Sequence, residues 1–403
     1  MRKFDIKYYD NKEEHGVIYD WDMIRKEYKK LVKVSDIYDP TTAPIETCGW
    51  TVLMSIRSTG KTTAWLLMGL IARKYYGSKI IYVRHTEDEI MPKFAMEALN
   101  VIKNYKNGFY IEKLTDGRWN SLYYHARRTY YCFRDEDGKI IEQDEEPFMV
   151  SVSIDHAEEL KSNLNEPKGD IVLVDEFIRS SSVNPDAFVD LCQILSSIVR
   201  FRKSMRVICL ANNTNVHHFF FREWGISSDV RDLKEGQYKI CETEMGTRLY
   251  IELIGLKPSR IRQEVNTLYF GFKNPKLASI QGGVSWAFDN VPHIHTADTD
   301  IYLYRGLHLE INDQRLRVEF VATEDRGLVA NVVPERRRPL PQDALLLSLN
   351  EITDVQMVYG FGEHLPVCRR FWQLYKQYKI YYADNETGSL VTEYVKQCRL
   401  KRL

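Results

Sequence analysis

Residues 55–63 read SIRSTGKTT, and the second half of that run carries the chemistry of a phosphate-binding P-loop. In such a loop consecutive backbone N–H groups wrap a polyphosphate at a helix N-terminus. A lysine reaches the outer phosphates, and the hydroxyl beside it holds a magnesium ion. Lys61 and Thr62 are those two residues, and Ser55, Ile56, Ser58, Thr59, Gly60 and Thr63 complete the candidate nucleotide contacts. Two positions depart from the usual pattern: Ser55 stands where glycine is expected, and Arg57 sits inside the loop. Serine is tolerable if that residue has ordinary strand dihedrals, because only a positive φ or a clash demands glycine. A decayed loop is the other reading of the same departure.

Gly-Lys-Thr alone is weak, and the context carries the weight. IVLVDEF (171–177) puts Asp175 at the carboxyl end of an apolar strand, followed at once by Glu176. Asp175 with Thr62 would hold Mg²⁺, and Glu176 would polarise the water that attacks the γ-phosphate of ATP. LANNTN (210–215) ends a further apolar strand. Asn212 and Asn213 there could sense the γ-phosphate, or form an ordinary Asx turn. Positive charge must also meet the transition state. The candidates are Arg57 in the loop, Arg84 at the end of KIIYVR (79–84), and Lys161 in EELKSN, which could act on a neighbouring subunit. Each could equally be a solvent-facing cation.

The elements needed to position these residues are legible as alternating buried strands and helices. WTVLMS (50–55) reads as a strand, 61–75 as a helix, 79–84 as a strand and 86–105 as one helix with Thr86 as its N-cap, kinked by Pro92. YYCFRDEDGKIIEQ reads as a hairpin turning at Asp137-Gly138, inside an insertion near 109–154. Strands at 148–154, 170–177 and 205–215 flank a helix at 185–201, and 237–254 would extend the sheet as antiparallel strands. The pattern predicts an α/β, mostly parallel sheet. With the Asp-Glu pair and an extra intervening strand, it points to the ASCE division of P-loop NTPases. The ATPase domain is expected over 1–255 with an N-terminal extension over 1–49, a linker over 256–297 that opens with a helix at 257–272, and a smaller α+β domain over 298–403.

Composition narrows the function classes. Lys+Arg and Asp+Glu both total 56 in the 403 residues, so any polyanion contact must use local patches on a neutral body. Seven cysteines form no C-x-x-C pair, which gives no support to zinc or dithiol chemistry and suits a reducing cytoplasm. His217-His218 and the His293–His295 run are weak ligand candidates. The charged N-terminus is not a signal peptide, and no apolar run reaches transmembrane length.

Taken together, SIRSTGKTT, YVR, EELKS ahead of IVLVDEF, LANNTN, and VNTLYFGF…SIQGGVSWAFDN resemble the large-terminase group of viral DNA-packaging ATPases. Within it the chain is most similar to the encapsidation ATPases of phi29-type bacteriophages, over about 50–290. The resemblance implies a homo-oligomeric ring, expected to be a pentamer, on the portal of a procapsid in the host cytoplasm. ATP hydrolysis there drives double-stranded DNA inward, with a packaging RNA as a further partner. By the same resemblance Arg57 corresponds to a loop arginine, and Lys161 falls near a trans-acting arginine. A lysine there departs from the family pattern, because it lacks the guanidinium fork.

Large terminases also carry a ribonuclease H-like nuclease that holds two metals on carboxylates. Asp298, Asp300, Glu310, Asp313 and Asp384 give no convincing constellation, so 298–403 is expected to be a vestigial nuclease fold without nuclease activity. Two other readings stay open: another ASCE enzyme such as a helicase, and a non-enzymatic binding protein with a decayed loop.

Overall fold

The structure, a computed structural model, describes residues 17–33, 37–55, 59–159, 166, 168–178, 184, 186–199, 202–212, 216–255, 291–294, 301–312, 314–336, 339–350 and 354–400. In chain order its first half holds helix α1 (Trp21–Leu31), strand β1 (Trp50–Ser55), α2 (Lys61–Tyr76), β2 (Ile80–Arg84) and the short helices α3 (Pro92–Ala98), α4 (Asn100–Asn104) and α5 (Phe109–Leu114). Then come β3 (Ser121–His125), β4 (Arg128–Arg134), β5 (Ile140–Gln143), β6 (Met149–Ser153), β7 (Ile171–Asp175), α6 (Ala187–Val199) and β8 (Arg206–Asn212). Helices α7 (Phe219–Glu223) and α8 (Ser227–Asp232) precede β9 (Gln237–Glu242) and β10 (Arg248–Leu253).

These strands form one sheet in the order β3-β4-β6-β2-β7-β8-β1-β10-β9, with β5 paired to β4. From β6 to β10 every neighbouring pair is parallel. A parallel sheet needs cover on both faces, and the side chains divide accordingly. Leu53, Ile80 and Leu173 face the core beneath α1 and α2, while Val52, Met54, Ile81 and Val174 face the core beneath α6, α7 and α8. The carboxyl ends of β1, β2, β7 and β8 therefore open at one edge, where a parallel α/β sheet places its ligands.

A second sheet has its own core. Strands β11 (Ile301–Ile311), β12 (Gln314–Thr323) and β13 (Gly327–Glu335) form an antiparallel meander. Strands β14 (Leu345–Ser348), β15 (Met357–Tyr359) and β16 (Ile380–Tyr382) complete the order β15-β14-β11-β12-β13-β16. Strand β14 runs parallel to β11, β15 to β14, and β16 to β13. Helices α9 (Pro366–Lys376) and α10 (Asn385–Leu400) bring Phe371, Trp372, Tyr394 and Val395 to this sheet's core.

Three expectations need correction. The single helix over 86–105 is instead a 3₁₀ turn (Asp88–Ile90) followed by α3 and α4. Glu89 accepts the Thr86 N–H and hydroxyl, and Pro92 opens a new helix at its first position. Strand β10 pairs parallel with β1, so only β9 runs antiparallel here. The insertion joins the main sheet through β4 and β6, and includes α5 and a second hairpin, β3–β4. The helix expected at 257–272 lies outside the described residues.

Candidate functional site

The loop after β1 is held at its neck by side chains the sequence pattern made doubtful. Ser55 ends β1 opposite Asn212 of β8 and has no positive φ. Its hydroxyl lies 2.8 Å from that of Thr59, and both residues are buried. Gly60 caps α2 in the left-handed region at φ +77°, and a Cβ there would meet Ile37 Cγ2 at 2.8 Å. The Tyr38 N–H donates to Thr59 O at 2.9 Å, so the chain just before residue 40 lies against the loop. Ile56, Arg57 and Ser58 lie outside the described residues, as do Lys161 and Asn213.

Residues 59–63, Asp175, Glu176 and 210–212 line one cavity of about 330 Å³, with Arg84 bonded to the acidic pair beside it. That is the size class of small-molecule sites. Lys61 is only 7 % exposed, and its Nζ donates to Asn212 Oδ1 at 3.2 Å. Asn212 Nδ2 in turn donates to Glu176 Oε1 at 3.4 Å. One amide thus ties Lys61 to Glu176, and its two partners, one donor and one acceptor, agree on its orientation.

The acidic pair is anchored from two sides. The Thr62 hydroxyl donates to Asp175 Oδ1 at 3.1 Å, and the Tyr82 hydroxyl donates to Asp175 Oδ2 at 2.9 Å. Arg84 spans three carboxylates: Asp175 Oδ2 at 3.4 Å, Glu176 Oε2 at 2.9 Å and Glu89 Oε1 at 3.0 Å. Its solvent-facing alternative is excluded, since the side chain is 14 % exposed. Burial opposes the Arg84 charge, but Tyr82 and the three acids outweigh it and raise its pKa. Glu176 sits just past β7 at φ +56°, a strained conformation for a residue with a side chain. That twist turns Glu176 toward Arg84 and Asn212.

Sequence reading missed two members of this network. Tyr82 enters the sequence reading only within YVR, and Glu89 only within the helix expected over 86–105. Period-two spacing was the available signal, because Tyr82 and Arg84 must share a face of β2. His217 and His218 are both buried, and the His218 ring lies against Phe177 and against Phe219 of α7. Among the described residues no group of three His, Cys, Asp or Glu side chains is placed to hold a metal ion. The Thr62 hydroxyl beside the Asp175 carboxylate is nonetheless a fitting donor set for Mg²⁺, a hard cation that keeps most of its waters and takes few protein ligands.

Fold and site together define an α/β protein with a glycine-capped helix after β1, an acidic pair at the end of β7 and an amide at the end of β8, all on one edge of a parallel sheet. No protein-family model matches the chain, and no curated protein does. Among solved structures, a chain of the bacteriophage Phi-29 viral genome packaging motor assembly is similar over 91 % of this chain and 100 % of that one, at 17 % identity and a TM-score of 0.54. The Phi-28 DNA packaging motor is similar over 92 % and 97 % at 16 % identity, with a TM-score of 0.49. The N-terminal domain of the DNA packaging ATPase from bacteriophage phi29 covers 54 % of this chain and 95 % of its own at 22 % identity, with a TM-score of 0.39. This chain has the fold of the Phi-29 motor component.

Proposed function

We propose that the chain is an ATPase of the ASCE type that moves double-stranded viral DNA into a procapsid, working as a homo-oligomeric ring at the portal. The observation that carries the enzymatic part is the Lys61–Asn212–Glu176 relay, which joins the group that would meet the γ-phosphate to the group that would activate water. Lys61 would bind the β- and γ-phosphates, and Thr62 with Asp175 would hold Mg²⁺, which would offset the phosphate charge. Glu176 accepts the proton of the attacking water. Each of its oxygens accepts one hydrogen bond, from Arg84 and from Asn212, which orients the carboxylate and leaves lone pairs for a water. A phosphate at Lys61 competes with Asn212 for the ammonium and loosens one of those ties.

The motor part rests on the likeness to the Phi-29 assembly along nearly the whole chain. Residues 1–255 form the ATPase domain, 256–297 the linker and 298–403 the second domain. In the second domain the central order β15-β14-β11-β12-β13, with β14 parallel to β11, supports the ribonuclease H-like reading. It is a nuclease-like fold used for docking. Arg57 is assigned by resemblance as the loop cation, and Lys161, a departure from the family arginine, as the trans-acting candidate; Asn213, from its place after β8, is a second candidate phosphate sensor. A packaging RNA and a pentameric ring are further parts of the same reading.

Glu176→Gln keeps the shape of the site and removes the base. ATP hydrolysis stimulated by double-stranded DNA is expected to fall at least about 100-fold. ATP affinity should stay within a few-fold of wild type. Hydrolysis at the wild-type rate in that variant removes Glu176 from its role.

A further inference from the structure

Strand β2 runs Ile80, Ile81, Tyr82, Val83 before Arg84, and its one hydroxyl is buried at the centre of the parallel sheet, 3 % exposed. A tyrosine in such a place needs a partner for its hydroxyl. Phenylalanine would fill the same volume without that requirement, so packing alone does not account for the hydroxyl. Its partner is Oδ2 of Asp175, at 2.9 Å, while Oδ1 takes the Thr62 hydroxyl at 3.1 Å. These two hydroxyls, from β2 and α2, approach different oxygens of one carboxylate and thereby limit its rotation.

We propose that Tyr82 is a positioning residue for the magnesium site: its hydroxyl holds the Asp175 carboxylate in the orientation that the Mg²⁺ of bound nucleotide requires. The inference rests on the reading of Asp175 as a metal-holding acid. Tyr82 has a second effect in the same geometry. Arg84 stands 3.4 Å from the oxygen Tyr82 occupies. With the hydroxyl gone, the guanidinium can close on Asp175 Oδ2 and compete with the metal for that charge. Hydrogen-bond partners of metal ligands are worth 10- to 100-fold in metal affinity.

The test is a titration of Mg²⁺ into the full-length protein with a fluorescent ATP analogue, reading nucleotide binding and not turnover. In Tyr82→Phe the Mg²⁺ concentration at half-effect is expected to rise about 10-fold, while analogue affinity in EDTA stays within twofold. In an Asp175→Asn background the same Tyr82→Phe change should add nothing, since coupled partners are non-additive. An unshifted Mg²⁺ midpoint overturns the inference, and so does an equal loss of affinity with and without metal, the mark of a merely structural role. If wild-type protein binds no analogue under any condition, the nucleotide-site reading fails and takes this inference with it. A wild type that binds beside an unshifted variant sinks only the role of Tyr82.

Discussion

Glycine at 60 answers two demands at once. Its φ of +77° is costly for any residue with a Cβ, and Ile37 fills the space a Cβ would take. Left-handed backbone costs about 1–2 kcal/mol for an L-residue, and the displacement of Ile37 adds to that. Gly60→Ala is therefore expected to lower stability by at least about 1 kcal/mol and to weaken ATP binding, because the first turn of α2 carries Lys61 and Thr62. A thermal melt together with an ATP titration checks both; an unchanged melt and affinity contradict the account. Ser55 has the opposite lesson. Its hydroxyl makes a buried contact with that of Thr59 that glycine at this position could not make.

Local elements were legible where burial decides them and obscure where tertiary contacts do. Strands β1, β2, β7 and β8 follow from short apolar runs, and α2 from the glycine before it. Helix α1 lies in the extension over 1–49, for which the sequence reading gives no element, although Asp20 caps it by accepting from Met23 N and Trp21, Ile24 and Tyr28 form one buried stripe. The β3–β4 hairpin was hidden for another reason. Its turn uses Ala126 and Arg127 at φ +48° and +62°, positions that ordinarily take Asn or Gly. The Asp137-Gly138 turn of β4–β5, with Gly138 at φ +79°, was found for the converse reason. Ala126→Asn should relieve the strained turn and raise stability by up to about 1 kcal/mol, read as an upward shift in melting temperature with ATP affinity unchanged. A lowered melting temperature contradicts this reading of the turn. At the site, Tyr82 and Glu89 escaped notice because their roles depend on which strands adjoin β2, a fact set by sheet order.

Across the whole molecule, the segment after β8 joins the two sheets. Asn312 Nδ2 donates to His217 O at 2.8 Å, and Arg222 donates to Gln397 at 2.5 Å. The same segment packs Phe219, Phe220, Phe221 and Trp224 under the main sheet and around Phe177, the residue after Glu176. Burial, with Arg231 a lesser cause, lowers the pKa of His217 to about 4; burial, with His85 and Lys396 lesser causes, lowers that of His218 to about 3. The unfolded chain takes up protons near pH 6.5 where the folded one does not. Stability is thus complete above about pH 6.5 and is lost as pH falls toward 4, on the order of 3 kcal/mol from His217 alone. Denaturant midpoints between pH 7 and 5 should fall accordingly, and a flat profile contradicts the buried neutral histidines.

Genome protection from nuclease tests the motor account most directly. Cognate empty procapsids, double-stranded DNA, Mg-ATP and this protein are incubated, DNase is added, and the protected DNA is measured. Wild-type protein is predicted to yield long protected DNA, and Glu176→Gln to yield none while still binding ATP. Protection by Glu176→Gln equal to wild type, or brisk ATP hydrolysis by wild type with no DNA protected, contradicts the account.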